Sequence, residues 1–269
     1  LPRRAVQAAE LDRQFGFVDG YLENATGVTR RYFCESESQI DLAVDAAQKA
    51  LSDAGIAAQD IDLIISAAAV PYQPIPATAP AIQRALGIAD GCCFATDINS
   101  TCLSFAAALD FAASLLMVGR YETILIVSAE IASRGLPWTT QPSVAGLFGD
   151  GAGAAVVGLR PGSGIRAAHF VTRASAYDTC AIGAGGTRFD FDKQAVDFAK
   201  NSKFSMDGKE LFRITAKHFG PFVEDLLGRA DTGRDELACV IAHQASPGAL
   251  AHMIKICGFG PNQVVDIAA

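Results

Sequence analysis

An internal repeat constrains the fold of this chain more than any other feature of its sequence. The run ALSDAGIAAQDIDLIISAAA at 50–69 has a counterpart in DLLGRADTGRDELACVIAHQA at 225–245. Each run predicts the end of a helix, a polar linker and a buried strand. The match continues through AIQRALGI (81–88) with HMIKICGF (252–259), and FATDI (94–98) with VVDIA (264–268). The repeat predicts two copies of one α/β unit, which we place at 1–160 and 161–269.

The second copy stops at the point where the first copy reaches Asn99. In the first copy the next residues are Ser100, Thr101 and Cys102. A sheet that stopped there would leave an open edge, which folded proteins avoid. We therefore expect the second half to be truncated, and the natural protein to continue beyond Ala269.

Helical and strand patterns alternate along the first copy. Residues 39–54 predict an amphipathic helix that ends at Gly55. The other predicted elements are strands at 61–70, 92–98, 123–129 and 154–159, a helix ending near 86–87 and a helix at 102–118. The Gly-rich run FGDGAGAA at 148–155 is a weak nucleotide signal and predicts a tight turn that enters a strand. This order predicts an α/β fold with a sheet covered on both faces.

Composition and charge exclude several classes of protein. The 269 residues are 50% hydrophobic, enough for a large core. A net charge of −7 argues against general nucleic-acid binding. No charge-free apolar run reaches about 18 residues, so we expect no membrane span. Residues 1–10 lack the apolar core of a signal peptide. The seven cysteines lack the spacing that is typical of a metal site. We expect a cytoplasmic protein with reduced thiols and no bound metal.

Cys102 is the candidate nucleophile. It lies in DINSTCLSF, after a predicted strand and at the start of an apolar helix. Free N–H groups and positive potential at a helix N-terminus favour a thiolate. A thiolate suits thioester exchange, because it accepts an acyl group and remains a good leaving group. From its location alone, Cys102 also fits a buried structural cysteine.

His243 is the candidate partner of the nucleophile. It lies in VIAHQAS, where a predicted strand ends, and its counterpart in the first copy is near Ala67. Sites in α/β proteins form at the carboxyl ends of sheet strands. A histidine there would donate to a thioester carbonyl oxygen or exchange protons. A structural histidine fits the same position.

Five motifs together resemble a known family. DINSTCLSF, LFGDGAGAAVV and VIAHQA, with YLENATGVTRRYF (21–33) and MDGKELFRIT (206–215), are similar to signatures of β-ketoacyl-acyl-carrier-protein synthase III, a thiolase-superfamily enzyme. The resemblance spans nearly the whole chain. It implies a homodimer and a thiolase-like fold, with two repeated α/β halves in a five-layered α-β-α-β-α arrangement.

The resemblance also implies a Cys–His–Asn active site. Cys102 would take the acyl group from an acyl-coenzyme A. His243 would then assist decarboxylative attack by a malonyl thioester carried on acyl carrier protein. Coenzyme A enters as part of the substrate, and no cofactor is implied.

The same resemblance assigns residues that bind substrates. Phe148 would line the acyl pocket, and Ile75 would reach the pocket of the partner subunit. The other implied positions, in the flanking signatures and the carrier-protein surface, are Thr26, Gly208, Arg213 and Lys255. Lys209, Arg213 and Lys217 recur every four residues and predict a positive stripe on one helix face. That stripe fits either carrier-protein binding or an ordinary solvated face.

Several positions depart from the family pattern. The catalytic Asn of the family follows the strand that corresponds to 264–268 and is not in this sequence. Ala25 stands where the family often has Arg, and Ser246 and Gly248 stand where it commonly has Asn and Arg. These positions concern the entrance for the thioester carrier. They leave the donor open and admit a role in specialised metabolism.

Three functions follow from these features. The first is an acyltransferase that performs decarboxylative Claisen condensation. The second transfers the acyl group to an alcohol or amine without forming a carbon–carbon bond. The third is a non-catalytic dimeric interaction protein, against which the retention of both Cys102 and His243 in their motifs argues.

Overall fold

The computed structural model describes residues 1–244, 246–260 and 262–267. The chain divides into two compact units, each assembled from separate segments. The first unit comprises Leu1–Ala5, Tyr32–Arg134 and Gly149–Ile165, and the second comprises Val6–Arg31, Gly135–Phe148 and Arg166–Ala269. The division of the sequence into copies at 1–160 and 161–269 stays a prediction.

Strands and helices are distributed along the whole chain. The strands are β1 (Arg4–Gln7), β2 (Arg30–Phe33), β3 (Leu63–Ser66), β4 (Phe94–Asp97), β5 (Ile124–Glu130), β6 (Gly151–Val157), β7 (Cys180–Ala181) and β8 (Ser205–Met206). The helices are α1 (Ala8–Phe15), α2 (Tyr21–Thr26), α3 (Gln39–Ala54), α4 (Thr78–Ala85), α5 (Ser104–Met117), α6 (Pro142–Ala145), α7 (Ala195–Lys200), α8 (Gly208–Ala230) and α9 (Pro247–Cys257). Among the described residues, no helix is both long enough and apolar enough to cross a membrane.

The first unit is built on a four-stranded sheet in the order β4-β3-β5-β6. β3 is parallel to β4 and to β5, whereas β6 is antiparallel to β5. Alternate residues of the strands face opposite sides, so Ile64 packs with α3 and α4 while Ile65 packs with α5. Both faces of the sheet are therefore covered, as the sequence predicted.

Local signals set the elements of the first unit. α3 has the predicted bounds, because a capping box between Ser38 and Asp41 starts it and Gly55, at φ 66°, ends it. All four predicted strands are confirmed, with bounds that differ by a few residues. β6 begins earlier than predicted, at Gly151, because the Gly-rich run pairs along the whole of β5.

The second unit has the helices of the repeat and much less of its sheet. α8 and α9 pack together, with the Phe212 and His252 ring centroids 4.8 Å apart. The predicted buried strand before His243 is wrong for the described residues, since Val240 makes only an isolated parallel bridge to Val264. Ile241 beside it is 82% exposed. Residue 268, at the end of the other predicted strand, lies outside the described residues.

Candidate active site

Cys102 lies on a sharp elbow between β4 and α5. β4 ends at Asp97 and α5 begins at Ser104, with Leu103 as its N-cap. Thr101 has a φ of 53°, in the left-handed region that non-glycine residues seldom adopt. Such strained residues cluster at functional sites, where the surrounding structure holds them in place. The elbow leaves Cys102 exposed, one residue before the helix cap.

Two polar side chains hold the elbow. The Asn99 Oδ1 accepts a hydrogen bond from the Thr101 N–H at 3.0 Å. The Ser104 Oγ accepts one from the Ser100 N–H at 2.9 Å and donates to the Thr101 carbonyl at 2.6 Å. Both the N–H and the carbonyl of Thr101 therefore make hydrogen bonds to side chains, which hold its left-handed conformation.

The electrostatics of Cys102 differ from the sequence expectation of a favoured thiolate. Partial desolvation of the sulfur raises the pKa of Cys102, its own N–H lowers it, and the charge of Glu130 raises it further. The net direction is upward, so the resting group is the neutral thiol. The helix start is where the sequence predicted it, whereas the direction of the pKa shift is opposite to the prediction.

His243 lies in the second unit, before α9. His243 is exposed when the whole residue is considered. Partial desolvation of its imidazole ring nevertheless lowers the pKa of His243. The neutral imidazole at neutral pH has one nitrogen that donates and one that accepts. Its neighbour Gln244 fixes the segment, because its Nε2 donates to the Ala242 and Val265 carbonyls at 3.1 and 3.0 Å. The sequence analysis did not single out Gln244, although it lies in the motif VIAHQA.

Thr26 and Phe148 have close packing partners in the second unit. Thr26 is buried, and its hydroxyl donates to the Leu22 carbonyl at 2.6 Å. Gly27, at φ 72°, follows it, and a Cβ there would lie 3.0 Å from Pro247 Cγ at the start of α9. Phe148 is half-buried, with its ring edge-on to Phe204 at 5.2 Å.

The remaining predicted residues are exposed. Gly208 is the first residue of α8, directly after its N-cap Asp207. Arg213 makes two hydrogen bonds to Glu210, at 2.7 and 2.6 Å. Lys255 lies in the last turn of α9, and Ile75, 87% exposed, lies in the first unit. Cys102 and Ile75 thus belong to the first unit and the other six to the second; their roles stay predictions.

The sequence analysis also missed Glu130 and Ser104, which contact the elbow or its neighbours. Ser104 lies within the motif DINSTCLSF, whereas no motif marks Glu130, which is only the polar end of an apolar strand. Within the described residues, no group of three or more His, Cys, Asp or Glu side chains is arranged to hold a metal ion.

Comparisons with other sequences give consistent matches. The profile of the family 3-Oxoacyl-[acyl-carrier-protein (ACP)] synthase III matches residues 96–175. The chain is 32% identical over 258 residues to a β-ketoacyl-[acyl-carrier-protein] synthase III of Clostridium perfringens strain SM101, covering 96% of this chain and 78% of the relative. It is 34% identical over 268 residues to a protein of the same name from Rhizorhabdus wittichii strain RW1, covering 98% and 80%.

Solved structures of the same kind superpose on the chain. A crystal structure of a 3-oxoacyl-(acyl-carrier-protein) synthase III matches with a TM-score of 0.89 at 24% identity, over all of this chain and 82% of the other. The Pseudomonas aeruginosa PAO1 protein matches with a TM-score of 0.86 at 25% identity, over 100% and 80%. A priming β-ketosynthase of the R1128 polyketide pathway matches at 0.83 and 26%, over 98% and 78%. The predicted thiolase-like fold is confirmed.

Proposed function

This chain belongs to the β-ketoacyl-[acyl-carrier-protein] synthase III family, and we propose that it joins an acyl group from an acyl-coenzyme A to a malonyl thioester with loss of carbon dioxide. The observation that carries the proposal is the elbow that exposes Cys102 beyond the carboxyl end of β4. No cofactor takes part in this scheme, because coenzyme A enters as the leaving group of the substrate. The site of action is the cytoplasm.

The first half-reaction is acyl transfer to Cys102. The thiol gives up its proton, and the sulfur attacks the thioester carbonyl carbon of the acyl-coenzyme A. The tetrahedral intermediate then expels the coenzyme A thiolate, which takes up the proton that Cys102 lost, and leaves an acyl thioester on Cys102. Because the pKa of Cys102 is raised, only a small fraction of the free protein carries the thiolate at neutral pH.

The second half-reaction uses His243. As the malonyl carboxylate leaves as carbon dioxide, negative charge develops on the thioester carbonyl oxygen. The neutral imidazole of His243 supplies an N–H donor to that oxygen. The resulting enolate carbon attacks the acyl carbonyl on Cys102, a carbon–carbon bond forms, and the Cys102 thiolate leaves.

The malonyl group arrives on acyl carrier protein, which docks on α8 and α9. Lys209, Arg213 and Lys217 are exposed along α8, and Lys255 is exposed on α9. Glu210 neutralises part of the Arg213 charge, so Lys209 and Lys217 carry most of the attraction. The spacing of four residues from Lys209 to Arg213 and on to Lys217 supports the proposal, because it places all three on one face of the helix.

The functional protein is a homodimer in this proposal, and it binds no nucleic acid. Ile75 is exposed in a loop and is suited to reach the acyl pocket of the partner subunit. A monomeric mass by light scattering at micromolar concentration would contradict the dimer.

Intact-protein mass after incubation with a panel of acyl-coenzyme A thioesters tests the first half-reaction. We expect one acyl group, placed on Cys102 by peptide mapping and absent from Cys102→Ala and Cys102→Ser. Cys239→Ala, which removes another exposed cysteine, is the matched control and should label normally. Label on another cysteine would overturn the assignment.

His243→Ala tests the second half-reaction. The experiment uses the full-length protein, which would carry the Asn of the family. In it, His243→Ala should retain acylation of Cys102 and lose condensation by about 10²–10³-fold, the usual cost of a missing preorganised donor. Condensation at the wild-type rate would remove His243 from the mechanism. Acylation without decarboxylation of malonyl thioester in the wild-type protein would favour transfer to an alcohol or amine instead.

A further inference from the structure

We infer that Glu130 and Asn99 are positioning residues for Cys102, because their hydrogen bonds join the loop after β3 to the elbow that presents the thiol. The inference rests on the proposed role of Cys102 as nucleophile. It concerns residues that touch neither substrate nor reacting atoms in the mechanism above. Both belong to the first unit, as does Cys102.

Glu130 binds the loop from one side. It is the last residue of β5 and is half-buried. Its Oε1 accepts from the N–H of Ala69, and its Oε2 accepts from the N–H of Val70 at 3.4 Å. Desolvation raises the pKa of Glu130, and these two bonds lower it by a smaller amount. The Glu130 carboxylate thus fixes two peptide N–H groups just beyond β3, although Ala69 lies 61 residues earlier in the chain.

Asn99 binds the same loop from the other side. Its Nδ2 donates to the Ala69 carbonyl at 2.9 Å, and its Oδ1 accepts from the Thr101 N–H at 3.0 Å. Ala69 is therefore bonded through its N–H to Glu130 and through its carbonyl to Asn99. Because Thr101 directly precedes Cys102, the amide of Asn99 connects the loop to the left-handed turn that presents the thiol.

The carboxylate has an electrostatic effect as well as a geometric one. The negative charge of Glu130 disfavours the thiolate of Cys102. A neutral resting thiol resists alkylation and oxidation, which act on thiolates. Removing the Glu130 charge should therefore lower the pKa of Cys102 and make the free enzyme more reactive toward electrophiles.

The opposite end of the sheet provides a matched control. Asp62 directly precedes β3, and its Oδ2 accepts from the N–H groups of Glu122 and Thr123, both at 2.9 Å. Like Glu130, it is a carboxylate that binds two consecutive peptide N–H groups beside the same sheet. A general loosening of the sheet on loss of such a carboxylate would make Glu130→Gln and Asp62→Asn behave alike.

The experiment measures the rate of Cys102 alkylation by iodoacetamide against pH, by peptide mass spectrometry on folded protein. We expect Glu130→Gln to move the inflection to lower pH and Asp62→Asn to leave it in place. The alkylation rate below the inflection should rise with that move, since the thiolate fraction there changes tenfold per pH unit. An unmoved inflection in Glu130→Gln, or an equal move in Asp62→Asn, would overturn the inference.

Asn99→Ala separates position from charge. It should keep the wild-type inflection and slow acylation of Cys102 by acyl-coenzyme A about tenfold to a hundredfold, because a displacement of about 1 Å can cost 10²-fold. Wild-type acylation in Asn99→Ala would refute the positioning role. If Glu130→Gln does not fold, Glu130→Asp keeps the charge on a shorter arm and should show a wild-type inflection with slower acylation.

The inference and the proposed function fail differently. If acyl-coenzyme A never labels the wild-type protein, the proposed function is wrong, while the alkylation profiles still report on the elbow. If labelling occurs and the profiles of Glu130→Gln and Asp62→Asn coincide, only the role of Glu130 is wrong.

Discussion

The two copies of the repeat begin alike and end differently. In each copy, a helix ends at a residue with a left-handed backbone conformation, which is Gly55 at φ 66° in the first copy and Asp231 at φ 46° in the second. A short 3-10 turn follows, Ala58–Asp60 in one and Arg234–Glu236 in the other. The apolar run after the first turn becomes β3, whereas the run after the second makes one bridge among the described residues.

The difference between the two apolar runs shows what a strand needs in order to be buried. β3 has β4 and β5 as neighbours, and helices cover both of its faces. Its Ile65 is 0% exposed, whereas Ile241 of the second copy is 82% exposed. An apolar run thus favours a locally extended backbone, but its burial depends on neighbouring strands that come from elsewhere in the chain.

The largest expected contrast is between two isoleucine truncations. Ile65→Ala should lower the free energy of unfolding by about 2–5 kcal/mol, since it removes buried atoms and leaves a cavity. Ile241→Ala should change it by no more than about 0.5 kcal/mol, because the side chain is already in water. Urea denaturation of both variants measures the two changes. Equal losses would show that the second copy buries its strand as the first does.

A smaller contrast separates the starts of α4 and α9, the equivalent helices of the two copies. The Asp97 carboxylate accepts from the N–H groups of Thr78 and Ala79 at 2.7 and 2.8 Å, whereas Ser246 caps α9 locally through the Ala249 N–H. Asp97→Ala should cost about 2–3 kcal/mol, because hydrogen bonds to a charged acceptor are the stronger ones.

Ser246→Ala is the matched variant for the other copy. It should cost about 1 kcal/mol, the usual loss for a serine N-cap. Thermal or urea unfolding of the pair ranks the two caps. A larger loss for Ser246→Ala would mean that the local cap matters more than the carboxylate from the neighbouring strand.

The smallest effect, between pH 7 and 9, is the pH dependence that Cys34 gives to the first unit. Burial first, and then the charges of Asp150 and Glu37, raise the pKa of Cys34 to about 11. The unfolded thiol has a pKa of about 8.5, so the folded form binds its proton more tightly. Stability from this group is present below about pH 8.5 and is lost as the pH rises toward 11, with less than about 1 kcal/mol lost by pH 9.

Cys34→Ser should remove that alkaline loss, and Cys239→Ser, at an exposed cysteine of the second unit, should not. Urea midpoints at pH 7, 9 and 10 for the two variants and the wild type provide the measurement. An unchanged pH dependence in Cys34→Ser would assign the loss to another group.

Much of this protein followed from local sequence alone. The periodicity of 39–54 and the glycine after it specify α3, because a helix of this length buries one face and needs a left-handed end. Short apolar runs located β3 to β6, and the motif around Cys102 placed this cysteine between a strand and a helix. These signals act over a few residues, so they are visible before the chain folds.

Only the tertiary structure decided the rest. It determined the strand order, the antiparallel direction of β6, the left-handed turn at Thr101 and the exposure of Ile241. It also brought Glu130 to Ala69, 61 residues away. The pKa of Cys102 is raised first by desolvation and then by the charge of Glu130, which is opposite to the direction that the sequence predicted. The physical reason is that desolvation and the placement of charges depend on neighbours distant in sequence, which no local pattern encodes.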